Sequence, residues 1–349
     1  MNTKTIDLAN IALMLFSCVA AFVVPFELFL FSYAVLGPLH YLTEIGWLHK
    51  RDYFATGKKD YYWLVIFCIP LTVLSIASTY SHTALVAPFH NFLIDTFGEG
   101  IFDTITVMIF LAFVMALAMV LFKDMFYKII FFAAAVFVGA ALSKSDPFIF
   151  LFGIFLPTLI HVFIFTGLFI LYGALKNKSK TGIASLFVFT ACAVSFFVFH
   201  PNISFYKITA YAEKALMDSG FIQLNKAVMD LFKLGEFTRE TVFSSAVGLG
   251  IMRFIAFAYT YHYLNWFSKT QVIKWHEVPK KQLAGVIAIW ITSVVLYVYN
   301  YKTGLMVLYF LSMLHVLLEF PLNYRTFIGI GEEIGTLTGM RKPVTVKKK

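Results

Sequence analysis

Successive apolar stretches, each of roughly 17 to 25 residues, run along the whole chain. A helix of that length crosses the hydrocarbon core of a bilayer, which is about 30 Å thick. Hydrophobic residues make up 60% of the 349 residues and charged residues only 13%, against about 25% charged residues in an ordinary soluble domain. This pattern excludes a soluble globular enzyme. It predicts an all-α, polytopic integral membrane helical bundle.

The apolar stretches divide into ten predicted membrane-spanning helices. Their approximate bounds are 7–24, 26–48, 61–79, 101–122, 126–142, 147–175, 182–200, 242–267, 283–300 and 303–324. The first stretch follows Lys4, and we interpret it as a span rather than as a signal peptide. The sequence contains no internal repeat and no low-complexity linker. One transmembrane domain, covering residues 1–349, is therefore the expected organisation.

The distribution of basic residues predicts the orientation of the spans. If the N-terminus is cytoplasmic, the inner segments collect 20 of the 28 lysines and arginines. Both termini are then expected in the cytoplasm, most simply at a prokaryotic inner (plasma) membrane. The net charge of +9 is explained by this topology, so no nucleic-acid partner is expected.

One longer outer segment, near 201–241, departs from this pattern. It balances five basic residues with five acidic residues and has apolar residues at helical spacing, such as Leu216, Leu224, Val228 and Leu231. The pattern predicts an amphipathic helix, or a pair of helices, at the outer interface of the bilayer. A lid over the bundle and a merely solvated connection are both consistent with this pattern.

Four of the nine histidines fall inside predicted spans. They are His40, His161, His262 and His315, in the second, sixth, eighth and tenth spans. These spans run in the same direction. At 1.5 Å per residue, the four histidines lie about 15, 22, 10 and 15 Å from the inner surface. The four imidazoles can therefore meet in one layer.

Polar side chains within a bilayer are costly and usually serve a function. We interpret the four histidines as a metal site, while a proton or ligand pathway and separate structural histidines remain alternatives. Glu44 and Glu319 each follow a histidine by four residues and are candidate metal ligands or partners of an imidazole. Arg253, inside the eighth span, is the expected counter-charge of a buried carboxylate.

The donor set limits the kind of centre. The three cysteines lie within apolar spans and lack metal-site spacing, so thiolate ligands are not expected. Imidazole ligands without thiolate suit iron, copper or zinc. The sequence also lacks the His-x-x-His-His boxes of membrane desaturases and the paired histidines of a di-haem cytochrome b.

Four short elements resemble, in the same order, those of the Brp/Blh-type beta-carotene 15,15'-dioxygenases of bacteria and archaea. The segment 37–44, Gly-Pro-Leu-His-Tyr-Leu-Thr-Glu, is similar to that family's Gly-Leu-Pro-His-Gly-Ala-Leu-Asp. The segments around His161 and His262 and the pair His315 and Glu319 resemble the other three elements. Thr166 stands where the second element of the family has an acid, and the basic residues after the third are missing.

This resemblance implies a membrane non-haem iron oxygenase with Fe(II) held by His40, His161, His262 and His315. Such an enzyme cleaves beta-carotene, or a related carotenoid or lipid polyene, with O2 to retinal-type aldehydes. Its partners would be the bilayer, O2 and a lipid-soluble polyene. Two other functions stay open: an ion- or proton-coupled transporter that uses intramembrane His and Glu residues, and a haem-binding membrane electron carrier.

Overall fold

The computed structural model describes residues 3–199, 206–269, 274 and 277–340. Within these ranges the regular structure is entirely helical and falls into fourteen helices. Their bounds are α1 Thr3–Val23, α2 Pro25–His49, α3 Tyr61–Thr79, α4 Ala87–Phe97, α5 Thr104–Leu121, α6 Met125–Leu142, α7 Asp146–Lys176, α8 Lys180–Val198, α9 Ala210–Ser219, α10 Ile222–Phe232, α11 Arg239–Ser244, α12 Ala246–Ser268, α13 Lys280–Tyr299 and α14 Tyr301–Leu337. The predicted all-α class is confirmed. Several positions named in the sequence analysis lie outside the described ranges. They are residues 201–205 of the predicted outer segment, His200, His276 and the basic residues from 341 onward.

Each of the ten predicted spans corresponds to a helix in the described ranges. Nine of these helices are long and apolar enough to cross a membrane, which indicates an integral membrane protein. The exception is α12, whose polar residues lower its mean hydropathy. Of its 23 residues, 17 are buried. Because α12 is surrounded by other helices rather than by lipid, it does not need an apolar surface on every side.

Two helices, α12 and α14, form the centre of the bundle. α12 packs against α1, α2, α7 and α8, whereas α14 packs against α2, α3, α5, α7 and α13. Two large apolar clusters surround these helices, one built mainly on α12 and the other on α14. Two of the four helices that contain the intramembrane histidines, α2 and α7, therefore each pack against both of the others, α12 and α14.

Two of these four helices contain π-helical turns. In α2 the turn covers Ser32–Leu36, directly before the segment that contains His40. In α7 the π-helical stretch covers Ile149–Phe165 and includes His161. π-Helical turns are rare and are frequently found at functional sites.

The outer segment forms a pair of short helices, α9 and α10, joined at Gly220. The φ of Gly220 is +78°, a left-handed conformation that glycine adopts without steric cost. Of the four apolar positions named in the prediction, Leu216, Leu224 and Val228 are buried, whereas Leu231 is 49% exposed. In contrast, Lys226 and Asp230 lie on the exposed side of α10 and form an ion pair. The pair is thus amphipathic, and its apolar side packs against the bundle.

Candidate metal centre

The structure brings together all four intramembrane histidines, one from each of four helices. Their exposed fractions are 1% for His40, 2% for His161, and 5% for both His262 and His315. The ring centroids of His161 and His262 are 4.9 Å apart, and those of His40 and His315 are 5.4 Å apart. The four imidazoles therefore form a single buried cluster, which we call the histidine cluster.

The ring nitrogens of the cluster face one another. The Nε2 atoms of His40 and His262 are 3.1 Å apart, and those of His161 and His315 are 3.2 Å apart. One ligand nitrogen from each of His40, His161 and His315 lies within 4.8 Å of the other two. This three-histidine group has the geometry to hold a metal ion; the fourth predicted ligand, His262, contacts the cluster but does not belong to that group.

These separations fit a shared metal. With metal–nitrogen bonds of about 2.1 Å, two imidazole nitrogens on one ion are about 3.0 Å apart at a right angle and about 3.4 Å apart at the tetrahedral angle. The observed 3.1 and 3.2 Å fall between these limits. The site also contains a buried polar atom without a hydrogen-bond partner on the Nε2 side of His40, namely Oε2 of Glu44. Such atoms are costly in an apolar interior, and a cation beside them would offset that cost.

The two candidate glutamates occupy different places. Oε2 of Glu44 lies 3.0 Å from Nε2 of His40, the same nitrogen that faces His262. Glu44 is therefore on the side of the ring where a metal would bind. Glu319 instead reaches the far side of another ring, with Oε2 at 3.3 Å from Nδ1 of His161. A carboxylate in that position orients an imidazole without occupying its coordinating nitrogen.

Thr166 has a role that the sequence analysis did not predict. Its hydroxyl oxygen is 2.8 Å from Nδ1 of His262, and the threonine is fully buried. An Nδ1–H that donates to this hydroxyl leaves the Nε2 lone pair of His262 directed into the cluster. The only signal in the sequence was that Thr166 replaces the acid of the family pattern.

Arg253 does not have the partner predicted for it. The side chain is 3% exposed, and it forms no ion pair with a carboxylate of the described ranges. Its guanidinium instead lies 5.2 Å from the ring centroid of Phe22. The prediction followed from the cost of a buried charge, whereas α12 places this charge against an aromatic face, where a cation–π contact stabilises it.

A different basic residue lies nearer the carboxylates of the site. Burial lowers the pKa of Lys269, which directly follows α12, to about 8, and the negative charges of Glu319 and Glu44 offset part of that shift. Within the described ranges Lys269 forms no ion pair with either glutamate, and its Nζ lies 5.5 Å from the ring centroid of Phe169. It marks the end of the bundle where α2, α7 and α12 finish. We call this end the basic end.

A cavity of about 300 Å³ extends from the histidine cluster towards the opposite end of the bundle. Its lining includes His161 and His315 of the histidine cluster, and also Gly220 and Phe221 of the outer helix pair. Much of the wall between them is apolar or aromatic, with Tyr33, Tyr259, Tyr263 and Tyr309 among the lining residues. The hydroxyls of Tyr33 and Ser312 are 3.1 Å apart. The cavity therefore offers a mostly apolar space that contacts two imidazoles directly.

Comparison of the chain with protein-family models, curated proteins and solved structures finds no match. The function must therefore be inferred from the geometry of the site.

Proposed function

We propose that this protein is a membrane non-haem iron oxygenase that cleaves a carotenoid or a related lipid polyene with O2. The observation that carries the proposal is the histidine cluster, whose nitrogens are spaced for one metal ion and which opens into an aromatic cavity. The resemblance of the four histidine elements to the Brp/Blh-type dioxygenases supports the same function.

The iron would be held by the histidine cluster, that is, by His40, His161, His262 and His315. Glu44, beside His40, is a further candidate ligand. When bound, Fe(II) supplies the activation of O2 that an organic side chain cannot provide. Thr166 and Glu319 hold the orientation of His262 and His161 from the far side of each ring. Neutral imidazoles are the form that binds a metal.

The cavity positions the substrate and excludes water. Tyr259 and Tyr263 provide aromatic faces on which one arm of a conjugated polyene can pack beside His161 and His315. The outer helix pair covers the far end of the cavity, which limits the entry of water.

The overall reaction balances without a further reductant. One carbon–carbon double bond and the O–O bond break, and two C=O bonds form. Each aldehyde product then contains one oxygen atom of O2, so the alkene carbons are oxidised while dioxygen is reduced.

The packing of the cluster argues against the haem alternative. A haem with two histidine ligands needs a porphyrin plane between the two imidazoles, but the rings of this cluster contact one another directly. An ion- or proton-coupled transporter would use the same histidines and glutamates, and the experiment below separates it from an oxygenase.

The test is expression of the chain in a bacterium that produces beta-carotene, followed by measurement of retinal-type aldehydes and of residual carotene. The wild-type protein is expected to deplete the pigment and to yield aldehydes. His161→Ala should abolish product and lower the iron content of the purified protein by at least tenfold, because it removes a central ligand. His82→Ala, at an exposed histidine outside the cluster, is the matched control and should behave as wild type.

Two results would contradict the proposal. Pigment that persists despite correctly inserted wild-type protein would exclude carotene cleavage. Full iron content and activity in His161→Ala would exclude the histidine cluster as the iron site.

A further inference from the structure

A second, smaller cavity adjoins the one that reaches the histidine cluster. It has a volume of about 150 Å³ and shares Gly220, Phe221 and Tyr309 with the larger cavity. Most of its wall surface is apolar, but five of its nine lining residues carry a hydroxyl group: Ser75, Thr79, Tyr80, Ser219 and Tyr309. We call this space the hydroxyl pocket.

The hydroxyl of Tyr80 has no partner within the described part of the chain. Tyr80 is 3% exposed, and its hydroxyl is buried without a hydrogen bond. Ser219, in contrast, donates to the carbonyl of Leu216 at 3.3 Å. Because an unpartnered buried hydroxyl is costly, the Tyr80 hydroxyl is available to a polar group that enters the pocket.

The hydroxyl pocket lies at a defined distance from the histidine cluster. Leu305 lines the pocket, and His315 belongs to the cluster on the same helix, α14. The two residues are ten positions apart, which corresponds to about 15 Å along the helix at 1.5 Å per residue. This distance is comparable to one arm of a carotenoid, from the middle of the polyene to its terminal ring.

The lining of the pocket also indicates the charge of the group it takes. None of the described residues that line it is charged. The nearest cation, Lys302, lies over the ring of Tyr80 at 5.0 Å and pairs with His82 at 3.0 Å. The pocket therefore suits a neutral oxygen, such as a hydroxyl or keto group, rather than a carboxylate.

We propose that the hydroxyl pocket binds the oxygenated end group of a polyene whose reactive bond lies at the histidine cluster. The preferred substrate is then a carotenoid with a hydroxyl or keto group on its terminal ring, and an unsubstituted carotene is a substrate that binds more weakly. This inference rests on the proposed oxygenase function and specifies its substrate.

The experiment compares two carotenoids that differ only in a ring hydroxyl. Each is titrated into the purified protein in detergent, and binding is followed by the shift and the induced circular dichroism of the polyene absorption band. The wild-type protein is expected to bind the hydroxylated carotenoid about tenfold more tightly, as one added hydrogen bond allows. Tyr80→Phe should bring this ratio to about 1.

The matched control is Tyr62→Phe, at the start of helix α3, whose last residue Thr79 directly precedes Tyr80; the side chain of Tyr62 is exposed. It should keep the wild-type ratio. Tyr80→Phe removes an unpartnered hydroxyl and keeps the ring, so its thermal stability should equal or exceed that of wild type, and a melting curve verifies this.

The possible outcomes separate the two proposals. Equal binding of the two carotenoids by wild type, together with cleavage that depends on His161, would overturn this inference and leave the oxygenase function standing. A preference that survives in Tyr80→Phe would also overturn the inference. If neither carotenoid binds to the folded protein, both proposals fail.

Discussion

At the level of single residues, the histidines of the cluster differ in the partner of each ring. Thr166 contacts His262, Glu319 contacts His161, and Glu44 contacts His40. Only Glu44 lies beside a ring nitrogen that also faces a second imidazole, namely Nε2 of His40, which faces His262. We therefore expect Thr166 and Glu319 to act as positioning residues, whereas Glu44 is the carboxylate closest to a ligand position.

A substitution at Thr166 tests this assignment. Thr166→Val keeps the shape of the side chain and removes the hydroxyl, so Nδ1 of His262 loses its partner. We expect the affinity for Fe(II) to fall about 10- to 100-fold, as is typical when a group that orients a metal ligand is lost. Metal titration of the apoprotein measures the effect. Thr166→Ser retains the hydroxyl and should restore most of the affinity; equally weak binding by the serine and valine variants would indicate a packing role instead.

The elements of the fold were predictable to the extent that hydrophobicity governs them. Long apolar stretches such as 61–79 correspond to helices with nearly the predicted bounds, here α3 at Tyr61–Thr79. The final helix ends at Leu337, thirteen residues beyond its predicted end at 324. The prediction was based on the length needed to cross a bilayer, and a helix can continue beyond that length. The π-helical turns of α2 and α7 were not predicted. They depend on local hydrogen bonding that hydrophobic periodicity does not report.

A buried ion pair connects two elements at the basic end. Nζ of Lys128, in α6, donates to Oδ2 of Asp60 at 2.6 Å, and the side chains are 3% and 7% exposed. Lys128→Met would leave the carboxylate of Asp60 buried and without its cation. We expect a loss of about 3–5 kcal/mol in the free energy of unfolding, measured by denaturant titration in mixed micelles.

Two further variants give the comparison for this ion pair. The double variant Lys128→Met with Asp60→Asn removes both charges and should recover most of the lost stability. Lys226→Ala breaks the exposed pair with Asp230 and should cost less than about 1 kcal/mol. A double variant as unstable as Lys128→Met would show that packing, rather than an unpaired charge, determines the loss.

For the whole molecule, the helices define a bundle with two distinct ends. At the basic end, four lysines lie near helix termini: Lys50, Lys123, Lys176 and Lys280. The outer helix pair lies at the opposite end. From the positive-inside rule we propose that the basic end faces the cytoplasm. The apolar lengths of nine helices support insertion in a membrane, and we propose that α12 crosses it as the tenth span, enclosed by the others.

This topology is testable by labelling single cysteines in whole cells. We expect a cysteine at Lys214, in the outer helix pair, to react with a membrane-impermeant maleimide. A cysteine at Lys58, between α2 and α3, should react only after the cells are permeabilised. The native cysteines lie within helices α1, α3 and α8, and the unsubstituted protein gives the background. Labelling of both positions in intact cells would contradict the proposed orientation.

The sequence by itself determined the helical class, the bounds of most helices and the residues able to form a metal site, because hydrophobic length and the cost of intramembrane polar groups act locally along the chain. The contacts between helices were decided by tertiary structure. Packing of four helices sets the nitrogen distances of the histidine cluster, directs Glu319 to His161 and Thr166 to His262, and puts Arg253 on Phe22. Such contacts depend on the rotation of each helix about its axis, and that rotation is specified only when all the faces of the bundle pack together.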